Sequence, residues 1–583
     1  MLYPAYTSSK KQSRYLENFG GINRRIKAGA GEFRDMENLL PTEYPCLSSS
    51  PLPEKILEES NIVKWTIPKY IDADLSLFSG VKKEDDGTFS IYINGEKKLG
   101  GISDVKDAFD FNGTIITYPD YKGYNYKMVS DDFKAEKKRK FASYTGDIKF
   151  ETVKSSGKVD HCVITCKGSS KTLFREGDML AISGCGNEKK NTIYPQHSAD
   201  YSNEKNPVTI TVISTSDAPT GFSGFTINVH VYNVNGELIG FDTDTANDSG
   251  TVSLYYPIMD FACAHKNRVW GLGASGESIY ASELGSPDHF GTMGTNTVDA
   301  WYGNVGTPGK FTGLGTYQDR VLAFKEDEVH IVYGDVPSNF SIYRNYSIGC
   351  IDGKSIANAG GMLIWLYHDG FYSYSGGVPR RISDKLNTKY VSCVAFADNK
   401  RYYARCVKED GTAEMLVYDT DYRLWNKIGV GWNDTKNVPY EAPPEDEPIM
   451  GGEYYGGVVY TYDSGGVYKL FGDEYGDFYA ESAPMTFDTY RDKSVMYLYV
   501  RTIFNDDSSF LNIYTSVNDG EWVEHKGIAG ADNPSTTFGG SPPFRQGRHR
   551  LPIRYSNGDS LRLRLEGHGK VTVLDIGIEL IEN

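Results

Sequence analysis

The chain has 583 residues and a formal net charge of −16, so two or three domains are expected rather than one small core. The acidic balance excludes a protein that grips nucleic acid by its phosphates over a basic surface. It leaves room for a channel through which DNA slides, because an acidic wall repels the backbone.

Tyrosine (43) and glycine (62) are abundant, and long apolar helical periodicity is nearly absent. Aromatic and β-branched side chains fit pleated surfaces and glycine serves turns, so the chain is predicted to be all-β. Residues 1–55 carry Phe19-Gly20-Gly21-Ile22-Asn23, Tyr44-Pro45 and Ser50-Pro51-Leu52-Pro53. Their prolines and glycines predict an extended N-terminal arm, which a partner or the rest of the chain must tie down.

Residues 56–141 read as the first blades of a β-propeller. Within them Phe89-Ser90-Ile91-Tyr92-Ile93 runs into Asn94-Gly95, the preferred dipeptide of a tight hairpin. A lysine-rich connector closes the segment (Lys134, Lys137, Lys138, Arg139, Lys140) and is read as solvated surface. Residues 142–256 break the rhythm. Val208–Ile213 and Phe225–Val231 alternate strongly, which predicts a small β-domain inserted between blades, on a face that often makes contacts.

Blades resume over 257–477, where a strand–turn–strand unit recurs. Taking Val269, Val321, Leu363, Tyr402 and Val458 as equivalent, the steps are 52, 42, 39 and 56 residues, near the period of about 40–50 residues of propeller repeats. Asn112–Tyr118 reads as an upstream copy. An acidic, proline-rich loop, Pro443-Pro444-Glu445-Asp446-Glu447-Pro448, cannot belong to a strand. Residues 478–583 predict a terminal β-sandwich. Asn518-Asp519-Gly520 makes a hairpin there, and Leu561-Arg562-Leu563-Arg564-Leu565 is a period-2 strand with one apolar and one basic face.

Residues 1–15 lack the apolar core of a secretory signal, and no run approaches the roughly 20 apolar residues of a membrane span. The eight cysteines (46, 162, 166, 185, 263, 350, 393, 406) include no CxxC, which points to a reducing cytoplasm during assembly.

Several motifs offer chemistry and also a plainer explanation. Gly271-Leu272-Gly273-Ala274-Ser275-Gly276 matches the dinucleotide fingerprint, but a strand follows instead of the helix that pyrophosphate binding requires; a blade hairpin is expected. Asp242 to Asp248 begins like a calcium loop, yet Ala246, Asn247 and Ser253 stand where a ligand, the turn glycine and the closing glutamate belong; a surface turn is expected. Cys162, Cys166 and Cys185 could form a soft metal site, but without a fourth ligand they read as buried thiols. Tyrosines 372, 374, 402, 403, 454, 455, 460 and 462 could stack sugars, or simply alternate in half-buried strands. His368 falls in a turn. The sequence singles out no catalytic residue, no metal ligand and no cofactor.

Two stretches carry a family resemblance. The opening Phe19-Gly20-Gly21-Ile22-Asn23, Gly31-Glu32-Phe33-Arg34-Asp35-Met36-Glu37-Asn38-Leu39 and Tyr44-Pro45 resembles the start of many tailed-phage structural proteins. The run Asn267-Arg268-Val269-Trp270-Gly271-Leu272-Gly273, Ile279-Tyr280-Ala281-Ser282-Glu283-Leu284-Gly285-Ser286-Pro287, Gly349-Cys350, Asp369-Gly370-Phe371-Tyr372-Ser373-Tyr374-Ser375-Gly376-Gly377 and Arg381-Ile382-Ser383 is similar to the tail nozzle proteins of short-tailed bacteriophages, also called tail tubular protein B or packaged-DNA stabilisation protein. It spans about residues 15–55 and 257–430.

The resemblance implies a non-enzymatic virion protein assembled in the host cytoplasm. Such a protein forms a homo-oligomeric ring, a hexamer, below portal and adaptor. It carries tail fibres or spikes and surrounds the channel of DNA ejection without sequence-specific binding. The extended arm would suit a subunit that latches onto its neighbours in the ring. The competing expectation is a propeller that binds or cleaves glycans of the host cell surface, drawn from the tyrosine-rich blades and the many carboxylates.

Overall fold

A computed structural model describes residues 11–127, 143–168, 174–192, 206–217, 224–233, 235–241, 247–291, 296–345, 347–429, 449–487, 492–533, 535–536 and 544–582. The lysine-rich connector, the acidic proline loop and residues 242–246 of the calcium-like turn lie outside them. Among the described residues the regular structure is β-strand with four short 3-10 turns. The fold is all-β: propeller blades, an inserted β-domain and a C-terminal β-sandwich. The chain divides into two compact units, Ser60–Gly353 and Met1–Glu59 with Lys354–Asn583.

The unit Ser60–Gly353 holds four blade sheets, each an antiparallel meander. The first runs Ile62–Trp65, Gly80–Lys83, Phe89–Ile93 and Glu96–Ile102. The second has three strands, Val105–Phe111, Thr114–Pro119 and Lys122–Asn125. The third runs Met259–His265, Arg268–Gly273, Ser278–Ala281 and Trp301–Asn304, and the fourth Phe311–Tyr317, Arg320–Lys325, Val329–Tyr333 and Ser341–Asn345. The first strands of successive sheets pack on one another, and each interface is a shared apolar core. Phe111, Ile116 and Tyr121 of the second sheet meet Met259, Val269 and Phe290, while Trp270 and Leu272 of the third meet Phe311 and Val321. The Asn94-Gly95 hairpin forms as expected, both residues at positive φ (45° and 75°), which the preferred two-residue turn demands.

Between the second and third sheets the chain leaves to form the inserted domain. Ser143–Ser155, Lys158–Lys167, Gly224–Tyr232, Thr209–Ser216, Met179–Ser183 and Asn247–Leu254 close into a six-stranded barrel. Alternation fills its interior with Ile148, Phe150, Ile164, Ile210, Ile227, Val229 and Val252. The barrel is fastened to the loop after Ser278–Ala281: Arg175 Nη2 lies 2.5 Å from Glu283 Oε2, and His289 Nε2 lies 3.3 Å from Asp178 Oδ1.

The second unit holds three more blade sheets. These are Ala357–Ala359 through Arg380–Arg381, Tyr390–Ala397 through Leu424–Ile428, and Gly451–Tyr455, Val458–Tyr462 and Gly466–Lys469 joined by Glu54–Glu58. All five positions taken as equivalent in the sequence repeat fall on the second strand of a meander, and the upstream copy at Asn112–Tyr118 does too. The variable steps reflect loop length, not a change of unit.

The terminal sandwich differs from the expected 478–583 in what it recruits. One sheet is ordered Leu39–Leu40, Leu47–Ser49, Val571–Glu582, Lys493–Phe504, Phe544–Gly558 and Ser535–Thr536, with Lys11–Leu16 also paired to Val571–Glu582. The other is ordered Phe33–Glu37, Asp477–Ser482, Leu561–His568, Phe510–Val517 and Val523–Glu524. Residues 11–58 are therefore not an extended arm. They hold five strands, and their own chain ties them down. Prolines and glycines mark the turns between these short strands but not their partners, which for four of the five lie over four hundred residues away. For the same reason residues 56–58 belong to a late blade and not to the first.

Candidate functional site

The strand Leu561–His568 organises the site. Leu561, Leu563 and Leu565 are buried in the sandwich, so strict alternation turns Arg562, Arg564, Glu566 and His568 to the opposite face. Antiparallel register then builds two polar rows across the sheet. One row is Glu524, Tyr514, Arg564, Glu481 and Asp35; the next is Asn512, Glu566, Tyr479 and Glu37. Residues directly opposite share a face and interact. Arg564 Nη2 is 3.1 Å from Glu481 Oε2 and Nη1 is 3.2 Å from Glu566 Oε1. Half-buried Trp522 stacks with both arginines, its ring centroid 4.8 Å from the Arg562 guanidinium carbon and 4.7 Å from that of Arg564, which adds cation–π attraction.

This face lines a cleft of about 790 Å³ whose other walls are Arg24 and Arg34 from the N-terminal segment and Thr388, Lys408, Glu414 and Lys427 from a blade. Glu414 is its electrostatic anchor. It receives Arg24 Nη1 and Nη2 at 2.8 and 2.9 Å, the Tyr390 hydroxyl, and Lys408 Nζ at 3.1 Å. Burial alone would push its pKa up, but the bonds and charge of Arg24 outweigh that and hold it at about 2. Lys427 Nζ sits 3.2 Å from Asp35, 3.1 Å from Glu37 and 3.0 Å from the Tyr479 hydroxyl. Tyr479 in turn donates to Asp35; burial and that bond raise its pKa to about 12. Glu37 is shifted up by burial, against the pull of Lys427.

The chemistry follows from this wiring. Both Glu414 oxygens are occupied and the group stays ionised at neutral pH, so it is a counterion that locks the N-terminal segment to a blade, not a general acid. Of the five cations in the cleft, four hold a carboxylate. Arg34 is exposed and forms no ion pair among the described residues. It sits where the strand Phe33–Glu37 breaks register against Asp477–Ser482, between Phe33 and Asp35. Such a bulge re-aims a side chain.

The sequence motifs fall elsewhere. Gly271 to Gly276 spans the end of a strand and the turn to Ser278–Ala281, a blade hairpin. Cys162, Cys166 and Cys185 are buried in the barrel core, where burial raises Cys166 to about 12 and Cys185 to about 11. Among the described residues no group of three or more His, Cys, Asp or Glu is placed to hold a metal ion. Asp248 of the calcium-like turn accepts the backbone N–H groups of Gly186 and Asn187 instead. Tyr374, Tyr402, Tyr403, Tyr460 and Tyr462 are buried, whereas Tyr454 and Tyr455 are exposed, so the tyrosines alternate in strands and form no common platform. His368 lies in a turn. The cleft itself was half visible: the basic alternation of Arg562 and Arg564 could be read, but not that residues 24–37 and 388–427 meet it.

No family model matches the chain, and no curated protein does. Among solved structures, the chain is similar to a protein of Bacteroides fragilis described as exported (8% identity, 52% of this chain and 82% of that one, TM-score 0.22). It is similar also to an exo-β-1,3-galactanase of Phanerochaete chrysosporium (10%, 81% and 94%, TM-score 0.17). A third is a Trypanosoma rangeli sialidase mutant with trans-sialidase activity (9%, 89% and 95%, TM-score 0.20). TM-scores this low carry no argument about activity.

Proposed function

We propose that this protein is a structural subunit of a bacteriophage tail, of the nozzle kind, which assembles into a ring of six below portal and adaptor and surrounds the DNA exit channel. One observation carries the reading. The residues of the phage-like opening are those that the geometry of the N-terminal segment requires. Phe19, Ile22, Phe33, Met36 and Leu39 are buried. Gly21 and Gly31 adopt φ of +69° and +84°, and a Cβ on either would lie 2.5 Å from the Trp425 carbonyl oxygen or 2.2 Å from that of Asn18. These residues therefore have steric and packing roles in this chain, which supports reading the opening as more than a matter of composition.

Light scattering and negative-stain images of the purified chain, alone and with a portal–adaptor assembly, test the reading. A ring of about six copies supports it. A chain that stays monomeric on its own and on that assembly, and is missing from virions, overturns it.

A second reading, glycan binding, is favoured by the cleft: aromatic rings beside carboxylates and guanidinium groups are the side-chain chemistry that stacks on sugar rings and bonds their hydroxyls. It is compatible with the first, since a tail subunit can also touch the cell surface. Retention on immobilised polysaccharide tests it.

A further inference from the structure

Resting on the second reading, that the polar sheet face binds saccharide, we propose that the ligand of the cleft is a carboxylate-bearing oligosaccharide whose acid group is held by Arg34. The cleft presents five cations, Arg24, Arg34, Lys408, Lys427 and Arg564, against four carboxylates, Asp35, Glu414, Glu481 and Glu566. Pairing consumes four of the cations, as above, and leaves the guanidinium of Arg34, set at the bulge and exposed to the cleft. A guanidinium is a rigid fork that matches a carboxylate with two parallel hydrogen bonds. Its place beside Asp35 makes it the remaining point of anion recognition on an otherwise neutralised wall.

The rest of the face suits the sugar rather than the charge alone. Asp35, Glu481 and Glu566 keep acceptor capacity beyond the bonds they make, since an ionised carboxylate offers about four lone-pair sites; sugar hydroxyls supply donors for them. Tyr514 stands opposite Arg564 and Tyr479 opposite Glu566, while the Trp522 ring lies against the guanidiniums of Arg562 and Arg564, giving amphipathic ring edges and faces beside the polar groups. From the strand of Arg34 to that of Arg564 is two strand spacings, about 10 Å, so a ligand touching both spans more than one sugar ring.

The test measures binding of the full chain to polygalacturonate, polysialic acid, neutral dextran and poly-glutamate, by calorimetry at low and moderate salt. Wild type is expected to bind at least one of the two acidic polysaccharides. Arg34→Ala is expected to weaken it about tenfold or more, and Arg34→Lys to recover part of the loss, because a point charge replaces a fork. Trp522→Ala is expected to weaken it too, all three variants keeping the wild-type melting temperature. Binding of dextran alone, or binding of the acidic polymers that Arg34→Ala leaves unchanged, overturns this inference and leaves the glycan reading standing. No binding to any polysaccharide overturns both. Equal binding of poly-glutamate overturns it in favour of an acidic polypeptide ligand.

Discussion

Arg24 closes on Glu414 with both terminal guanidinium nitrogens, at 2.8 and 2.9 Å, across 390 residues of sequence. The carboxylate is almost wholly buried, 5% exposed, and the guanidinium 16%. Removing one partner of such a pair strands the other charge, so Arg24→Ala is expected to destabilise the unit by about 3 kcal/mol. Chemical denaturation of the variant checks the size of the loss.

The same pair sets an acid limit. The folded pKa of Glu414, about 2, lies below the ordinary value of about 4.3. Its contribution is therefore fully present above about pH 4.3 and is lost as pH falls towards 2. Glu414→Gln is expected to flatten the fall in melting temperature across that window relative to wild type; equal slopes in the two proteins would contradict the assignment.

The barrel's attachment behaves in the opposite sense. Burial disfavours the charged imidazole of His289, but bonds to Asp178 and Asp288 overcome this and raise its pKa to about 9. Glu283 and Arg175 complete the charged surroundings. The contribution is present below the ordinary value of about 6.5 and is lost as pH rises through 9. His289→Gln is expected to lower stability at pH 6 by on the order of 1–3 kcal/mol and to change little at pH 10. Limited proteolysis between barrel and blade at the two pH values reads this out.

Gly21 has no room for a side chain and a φ that disfavours one. Gly21→Ala is expected to cost on the order of 1–3 kcal/mol and to expose residues 19–39 to protease. Gly87 offers a control, because its φ is similar (+84°) but its Cβ position is open; Gly87→Ala is expected to cost about 1 kcal/mol.

Glu54–Glu58 supplies the fourth strand of the sheet Gly451–Lys469. Deleting residues 1–17 removes one strand paired on a sandwich sheet, Lys11–Leu16, whose side chains are mostly exposed, and is expected to leave a soluble, folded protein. Deleting residues 1–58 also removes Phe33–Glu37, Leu39–Leu40, Leu47–Ser49 and Glu54–Glu58, baring an edge of three sheets and the core beneath them, and is expected to give insoluble protein. Fractionation after expression separates the two outcomes.

What could be read from the chain alone was what alternation and spacing encode. The second strand of five blades at Val269, Val321, Leu363, Tyr402 and Val458, the Asn94-Gly95 turn, the inserted domain and the two faces of Leu561–Leu565 are all local patterns, because side-chain direction in a strand depends only on the neighbours in sequence. Partner choice does not. That Phe33–Glu37 pairs with Asp477–Ser482, that Glu54–Glu58 completes a late blade, and that Arg24, Glu414 and Arg564 line one cleft were decided by tertiary structure. Burial and register bring those residues together from hundreds of positions apart, and no periodicity within either segment records the other.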